Sequence, residues 1–228
     1  MTMTKLELRT YFAAYELRII TLEQQFLELR YNHNHDDKGR FCSGGGGGNS
    51  LDKSGKSDIM KDSSDNLIKI TQKNIDSIPE CTAFSSKALN QKVTEKCKEI
   101  LSDLKNDEVG TEETVSIKLS SLESEKQKGE SGEGAVKVIS FDEPFVSIHN
   151  HPSGETFSGR DIDKFAYDNN HVAMCVIGNN GKMYVLQKKS DYNWTKFAME
   201  SFDIQYKEDY AEKVLNGAEN YGFEYHKK

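Results

Sequence analysis

Five consecutive glycines, Gly44 to Gly48, sit inside a stretch from Asn32 to Asp65 dominated by Asn, Ser, Asp, Lys and Gly. Such a stretch carries too little apolar surface to offset the entropy of ordering it. No continuous core can therefore run through the chain, and residues 32–65 read as a flexible linker. Upstream, Leu8, Tyr11, Phe12, Tyr15, Ile19, Leu22, Phe26 and Leu29 recur every three or four residues among Glu and Arg. Residues 1–31 thus read as one amphipathic helix, set apart by the linker, that either docks on a partner or packs on its own chain. Two motifs near the linker are weak. Gly55-Lys56-Ser57 spells the end of a phosphate-binding loop, but Ser50 stands where the upstream glycine is required and no strand precedes it. His33, His35 and Asp36 offer metal-binding side chains with no packed surround to orient them, and read as a solvated turn.

The linker also explains the composition. Only 36% of the 228 residues are hydrophobic and the mean hydropathy is −0.72, low for a globular chain. With 30 basic and 37 acidic residues the net charge is −7, which argues against a broad basic surface for nucleic acid. There is no run of eighteen apolar residues, and the start Met1-Thr2-Met3-Thr4-Lys5 lacks the apolar stretch of a signal peptide, so neither a membrane protein nor a secreted one is expected. The four cysteines, Cys42, Cys81, Cys97 and Cys175, form no C-x-x-C pair. That suits a reducing compartment better than a disulfide scaffold or thiolate zinc site.

Order is expected to resume near Leu67, with residues 66–192 forming the main domain. A helix is predicted from Ser86 to Leu104, with Leu89, Val93, Cys97, Ile100, Leu101 and Leu104 on one face. Thr114 to Leu119 alternates as a half-buried strand does. Glu123 to Gly134 reads as a charged loop, Ala135 to Ile139 as a short strand and Phe145 to Ile148 as a buried strand. A helix follows from Asp161 to about Asn169. Val172 to Ile177 and Lys182 to Gln187 read as strands joined by Gly178-Asn179-Asn180-Gly181, in which Asn-Gly marks a hairpin. The predicted class is α+β, α/β-like, with a mixed sheet flanked by helices. Residues 193–228 are rich in aromatics that could line a helix face from Thr195 to Leu215, as core or as a partner surface.

His149 and His151 carry the chemistry. At i and i+2 of an extended segment, both imidazoles leave the same side and can reach one ion. Asp161, ten residues on, opens a helix whose N-terminal dipole favours a carboxylate. Two His and one carboxylate leave a fourth position on a tetrahedral zinc, the pattern of catalytic rather than structural sites. Zinc lowers the pKa of a bound water to about 7, within reach of neutral pH.

The set of an upstream glutamate, His149-x-His151-Pro152 and Ser158-x-x-Asp161 resembles the motif of the JAMM (JAB/MPN) zinc metallopeptidases, and His149-Asn-His151-Pro152-Ser153-Gly154 is spelled as in their RadC-like branch. With Gly110-Thr111-Glu112 and Phe157 to Asp161, the likeness is closer still to phage and prophage JAB-like domains, including those found with Mu F-like minor head (head morphogenesis) proteins. It covers roughly Gly110 to Lys188. The resemblance implies a JAB/MPN-type fold and a zinc-dependent peptidase or isopeptidase acting on a protein or peptide. His149, His151 and Asp161 would ligate Zn2+, and Ser158 would hydrogen-bond the polarised carbonyl. The acid/base would be a glutamate on the early strand. Glu112 and Glu113 both qualify. Strand parity groups Glu113 with Val115 and Ile117, and Glu112 with Thr114 and Ser116, the more polar side and the better lining for a wet cleft. The Gly-Thr-Glu spelling also favours Glu112.

Nine residues separate His151 from Asp161, one fewer than the familiar spacing, and Gly154 is expected to absorb the difference. The phage likeness further implies a cytoplasmic or virion-associated protein, with portal or capsid partners met through the N-terminal helix. A non-catalytic head-morphogenesis module that keeps the fold is the competing expectation. The letters His149-Asn150-His151 also spell a nuclease class, but those enzymes spread the three residues over a ββα unit, and the acidic balance is unhelpful.

Overall fold

The computed structural model describes residues 67–130, 136–202, 204–205 and 207–228. The chain divides into two units, Met1–Ile59 and Met60–Lys228, and every described residue belongs to the second. The expected amphipathic helix, the linker, Gly55-Lys56-Ser57 and the His33/His35 pair lie outside the described residues.

The described part is α+β. Helices α1 (Gln72–Asp76) and α2 (Lys87–Leu104) come first, then strands β1 (Glu113–Lys118), β2 (Ser124–Lys128) and β3 (Phe145–His151). Helix α3 (Gly159–Tyr167), β4 (His171–Gly178) and β5 (Met183–Lys188) follow, and the chain closes with α4 (Trp194–Ser201), α5 (Tyr210–Asn216), a 3-10 turn (Ala218–Tyr221) and β6 (Phe223–Lys227). The six strands form one mixed sheet in the order β2-β1-β3-β4-β5-β6. Only β3 and β4 are parallel, and α3 lies in the crossover that such a pair requires.

The parity of the strands divides the apolar residues into two layers. Val146 and Ile148 of β3, Cys175 and Ile177 of β4, and Val115 and Ile117 of β1 face α2, whose buried stripe is the predicted one from Leu89 to Leu104. Met174 and Val176 of β4 and Leu186 of β5 face the opposite layer, built from Ile162, Phe165, Phe197, Val214 and Phe223. Each fully buried Ile, Leu or Phe contributes about 1.5–3 kcal/mol of apolar burial. β4, apolar along nearly its whole length, is buried on both faces, as a central strand should be. Helix α2 is capped by Ser86, whose hydroxyl accepts from Leu89 N–H at 3.3 Å.

Three sequence expectations are corrected. The segment read as a loop from Glu123 holds β2, a strand without apolar alternation. It sits at the sheet edge with most of its side chains in solvent, so pairing with β1, from Glu113↔Lys128 to Ile117↔Ser124, defines it rather than a buried face. Residues 136–139, read as a strand, form no regular element. The C-terminal segment is not one helix from Thr195 to Leu215. It breaks into α4 and α5 and ends in β6, which pairs with β5 from Tyr184↔Lys227 to Lys188↔Phe223. Gly222, at φ 77°, makes the turn into β6 in a conformation that favours glycine. Of the aromatics in this segment, Phe197, Tyr210 and Phe223 are buried in the core, and Trp194, Tyr221 and Tyr225 pack against it partly buried.

Candidate metal centre

β3 delivers both histidines to one place. Ser147, His149 and His151 alternate onto the α3 side, and the register aligns Thr114 with His149 and Val176 with the same residue from the other flank. His149 is buried, while His151 ends the strand half-buried. There the parallel crossover brings the first turn of α3 back over the carboxyl end of β3, the usual location of sites in such sheets.

Asp161 is fixed to that turn by a capping box. Ser158 Oγ accepts from Asp161 N–H at 3.2 Å, and Ser158 N–H donates to Asp161 Oδ2 at 2.7 Å. The Ser158 hydroxyl also donates to Asp161 Oδ2, at 2.7 Å. The shortened loop closes through Gly154, at φ 75°, whose N–H donates to His151 C=O at 3.0 Å.

The donor atoms converge. His149 Nε2 and His151 Nε2 lie 3.0 Å apart, Asp161 Oδ1 is 3.6 Å from the first and Oδ2 is 3.3 Å from the second. A tetrahedral ion with bonds of about 2.0–2.1 Å separates its donors by roughly 3.3 Å, near these spacings, and one donor atom from each of the three residues lies within 4.8 Å of the others. The tautomer of His151 agrees with this. His151 Nδ1 donates to Thr156 C=O at 2.9 Å, which leaves the Nε2 lone pair free. Two imidazole nitrogens this close need a proton or a cation between them. His149 Nδ1 is buried and has no hydrogen-bond partner among the described residues, so no neighbour sets the tautomer of that ring. His149, His151 and Asp161 can thus hold a metal ion; their geometry is compatible with zinc without identifying it.

The electrostatics follow from the same contacts. Burial works against the charged form of Asp161, but the imidazoles of His149 and His151 outweigh it and hold the carboxyl well below its ordinary range. Burial also disfavours charged His151. Asp161, Glu112 and the Thr156 carbonyl prevail, and its pKa is raised.

The two glutamates separate as strand parity requires. Glu112 is buried beside the centre. Burial raises its pKa against the pull of His149 and His151, while Asp161 pushes it up further. Glu113 emerges on the α2 side, with Oε1 3.8 Å from Lys126 Nζ, which pairs in turn with Asp103 at 2.5 Å. The Ser158 hydroxyl lies at the same turn, donating to Asp161 Oδ2 and accepting from the Asp161 amide. The sequence reading overlooked Thr156 and Asn150. Thr156 acts through its backbone carbonyl, which no side-chain pattern reveals. Asn150 had a signal, a polar residue at the parity of Val146 and Ile148.

Comparison of the chain with protein-family profiles, with curated proteins and with solved structures gives no match. Among the described residues no helix is long and apolar enough to cross a membrane.

Proposed function

We propose that the chain is a zinc-dependent peptidase or isopeptidase of the JAMM (JAB/MPN) type. The observation that carries this reading is the convergence of His149 Nε2, His151 Nε2 and the Asp161 carboxylate beside a buried glutamate. When bound, zinc supplies a Lewis acid that brings the pKa of a coordinated water to about 7. The protein's own groups do the rest. His149, His151 and Asp161 would hold the ion, a donor set of the kind that leaves a position for water. Glu112, raised by burial, accepts a proton on its carboxylate from the attacking water and returns it to the leaving amine nitrogen. Ser158 holds Asp161 in register, and Thr156 fixes the tautomer of His151.

The resemblance extends this reading to a phage or prophage setting, with a protein or peptide as substrate. Hydrolysis of a panel of fluorogenic peptide amides and isopeptide-linked peptides by the zinc-loaded chain tests it. Turnover by the wild type that Glu112→Gln abolishes supports the reading. A zinc-loaded wild type inert on every amide and isopeptide contradicts it.

A further inference from the structure

Asn150 occupies a β3 position whose parity neighbours, Val146 and Ile148, face the apolar layer under α2, and it is fully buried. A buried amide is costly unless its donors and acceptors are used. Here they are used on one short stretch of backbone. Oδ1 accepts from Glu113 N–H at 2.8 Å, and Nδ2 donates to Thr111 C=O at 3.1 Å. An N–H on one side and a C=O on the other also fix which end of the amide is oxygen. Nδ2 donates as well to Asn179 Oδ1 at 3.2 Å, and Asn179 is itself anchored by donating to Ile68 C=O at 2.9 Å and, through its backbone N–H, to His151 C=O at 3.1 Å.

The two backbone groups that Asn150 holds belong to the residues on either side of Glu112. The regular part of β1 starts only at Glu113, so Thr111 and Glu112 lie where a strand end would otherwise fray. Glu112 C=O accepts from Gly129 N–H at 2.8 Å on its outer flank, and Asn150 supplies the inner restraint. The tripeptide His149-Asn150-His151 therefore sends two imidazoles to one face of the sheet and a clamp to the other.

We propose that Asn150 is a positioning residue for Glu112: by holding Thr111 C=O and Glu113 N–H it keeps the Glu112 carboxylate beside the metal-binding group. The proposal rests on the reading of Glu112 given above, and deepens it.

Zn2+ alone is the probe, in a double-mutant cycle on the full chain. Competition with a chromophoric chelator gives the zinc affinity of wild type, Asn150→Ala, Glu112→Gln and the double variant. Hydrogen exchange follows the Glu113 amide against those of Val115 and Ile117. A carboxylate beside a dication strengthens its binding, so Glu112→Gln is expected to weaken zinc roughly tenfold. Asn150→Ala is expected to weaken it by a similar factor, and the double variant by no more than either alone. Glu113 is expected to lose protection while Val115 and Ile117 keep theirs. Losses that multiply in the double variant, or unchanged Glu113 protection, overturn the proposal. If Asn150→Ala fails to fold, Asn150→Ser carries the same comparison. A folded wild type that takes up no zinc contradicts the proposed function, not the clamp, and the exchange of Glu113 then decides the clamp alone.

Discussion

Ser158 and Asp161 are locked to each other: the hydroxyl of one donates to Oδ2 of the other at 2.7 Å, while the same hydroxyl accepts from the Asp161 amide at 3.2 Å. A helix cap and a candidate metal ligand are thereby built from one pair of residues. Ser158→Ala is expected to cost about 1 kcal/mol of stability through the lost cap. It is also expected to weaken zinc roughly 10- to 100-fold, the usual effect of losing a partner that orients a ligand. Chelator competition reads the second effect and denaturant unfolding the first. Unchanged zinc affinity would show that Asp161 needs no such support.

Glu112 and Glu113 are adjacent in sequence and serve opposite faces of the sheet. Glu112→Gln is expected to reduce amide hydrolysis by about 10²–10⁴-fold, the range for a general acid/base. Glu113→Gln faces Lys126 and α2, and should leave hydrolysis within about threefold of wild type. The kcat/KM values of the two variants on one fluorogenic peptide amide check the contrast. Comparable losses in both would remove the assignment.

His171 is expected to make the fold sensitive to acid. Its ring is fully enclosed between Phe145 and Phe165, and its Nε2 is hydrogen-bonded to Ser147 Oγ at 2.7 Å. Burial, aided by Lys188 and His149, pushes its pKa down to about 3. The folded state holds the neutral ring while the unfolded chain protonates near its ordinary value of about 6.5. This group's contribution is therefore intact above that value and falls by about 1.4 kcal/mol per pH unit below it, down to the folded value. In His171→Gln that loss between pH 6.5 and 4 should disappear. Denaturant midpoints of the two proteins over this range, both free of metal, show whether it does. Parallel pH curves would contradict the assignment.

Phe223 lies fully buried where β6 pairs with β5, in contact with Phe165, Tyr192 and Phe197. Phe223→Ala is expected to cost about 3–5 kcal/mol, as a large cavity in a packed core does. Urea unfolding measures it. A loss under 1 kcal/mol would mean that the C-terminal segment is not part of this core.

Apolar patterning was a good guide wherever burial dictates the residue, on one face as in α2 or on both as in β4. Helix α2 and the strands from Phe145 and Val172 are patterned by the layers they touch, and i, i+2 parity alone puts His149 and His151 on one side. It failed where burial does not dictate the residue. β2 has the composition of a loop because its side chains meet solvent, and β6 follows an aromatic stretch whose spacing does not reveal its break between Ser201 and Tyr210. The group that could hold a metal was legible because its chemistry resides in side chains at fixed spacing. Thr156 was not, since its contribution is a carbonyl placed by the turn after His151.

The central claim is that His149, His151 and Asp161 hold one catalytic zinc ion. Calorimetric titration of the metal-free full chain with Zn2+ tests it most directly, with His149→Ala and Glu113→Gln alongside. One ion per chain is predicted for the wild type and Glu113→Gln, with binding lost in a folded His149→Ala. A folded wild type that takes up no zinc, or a His149→Ala variant that binds it as tightly as the wild type, would contradict it.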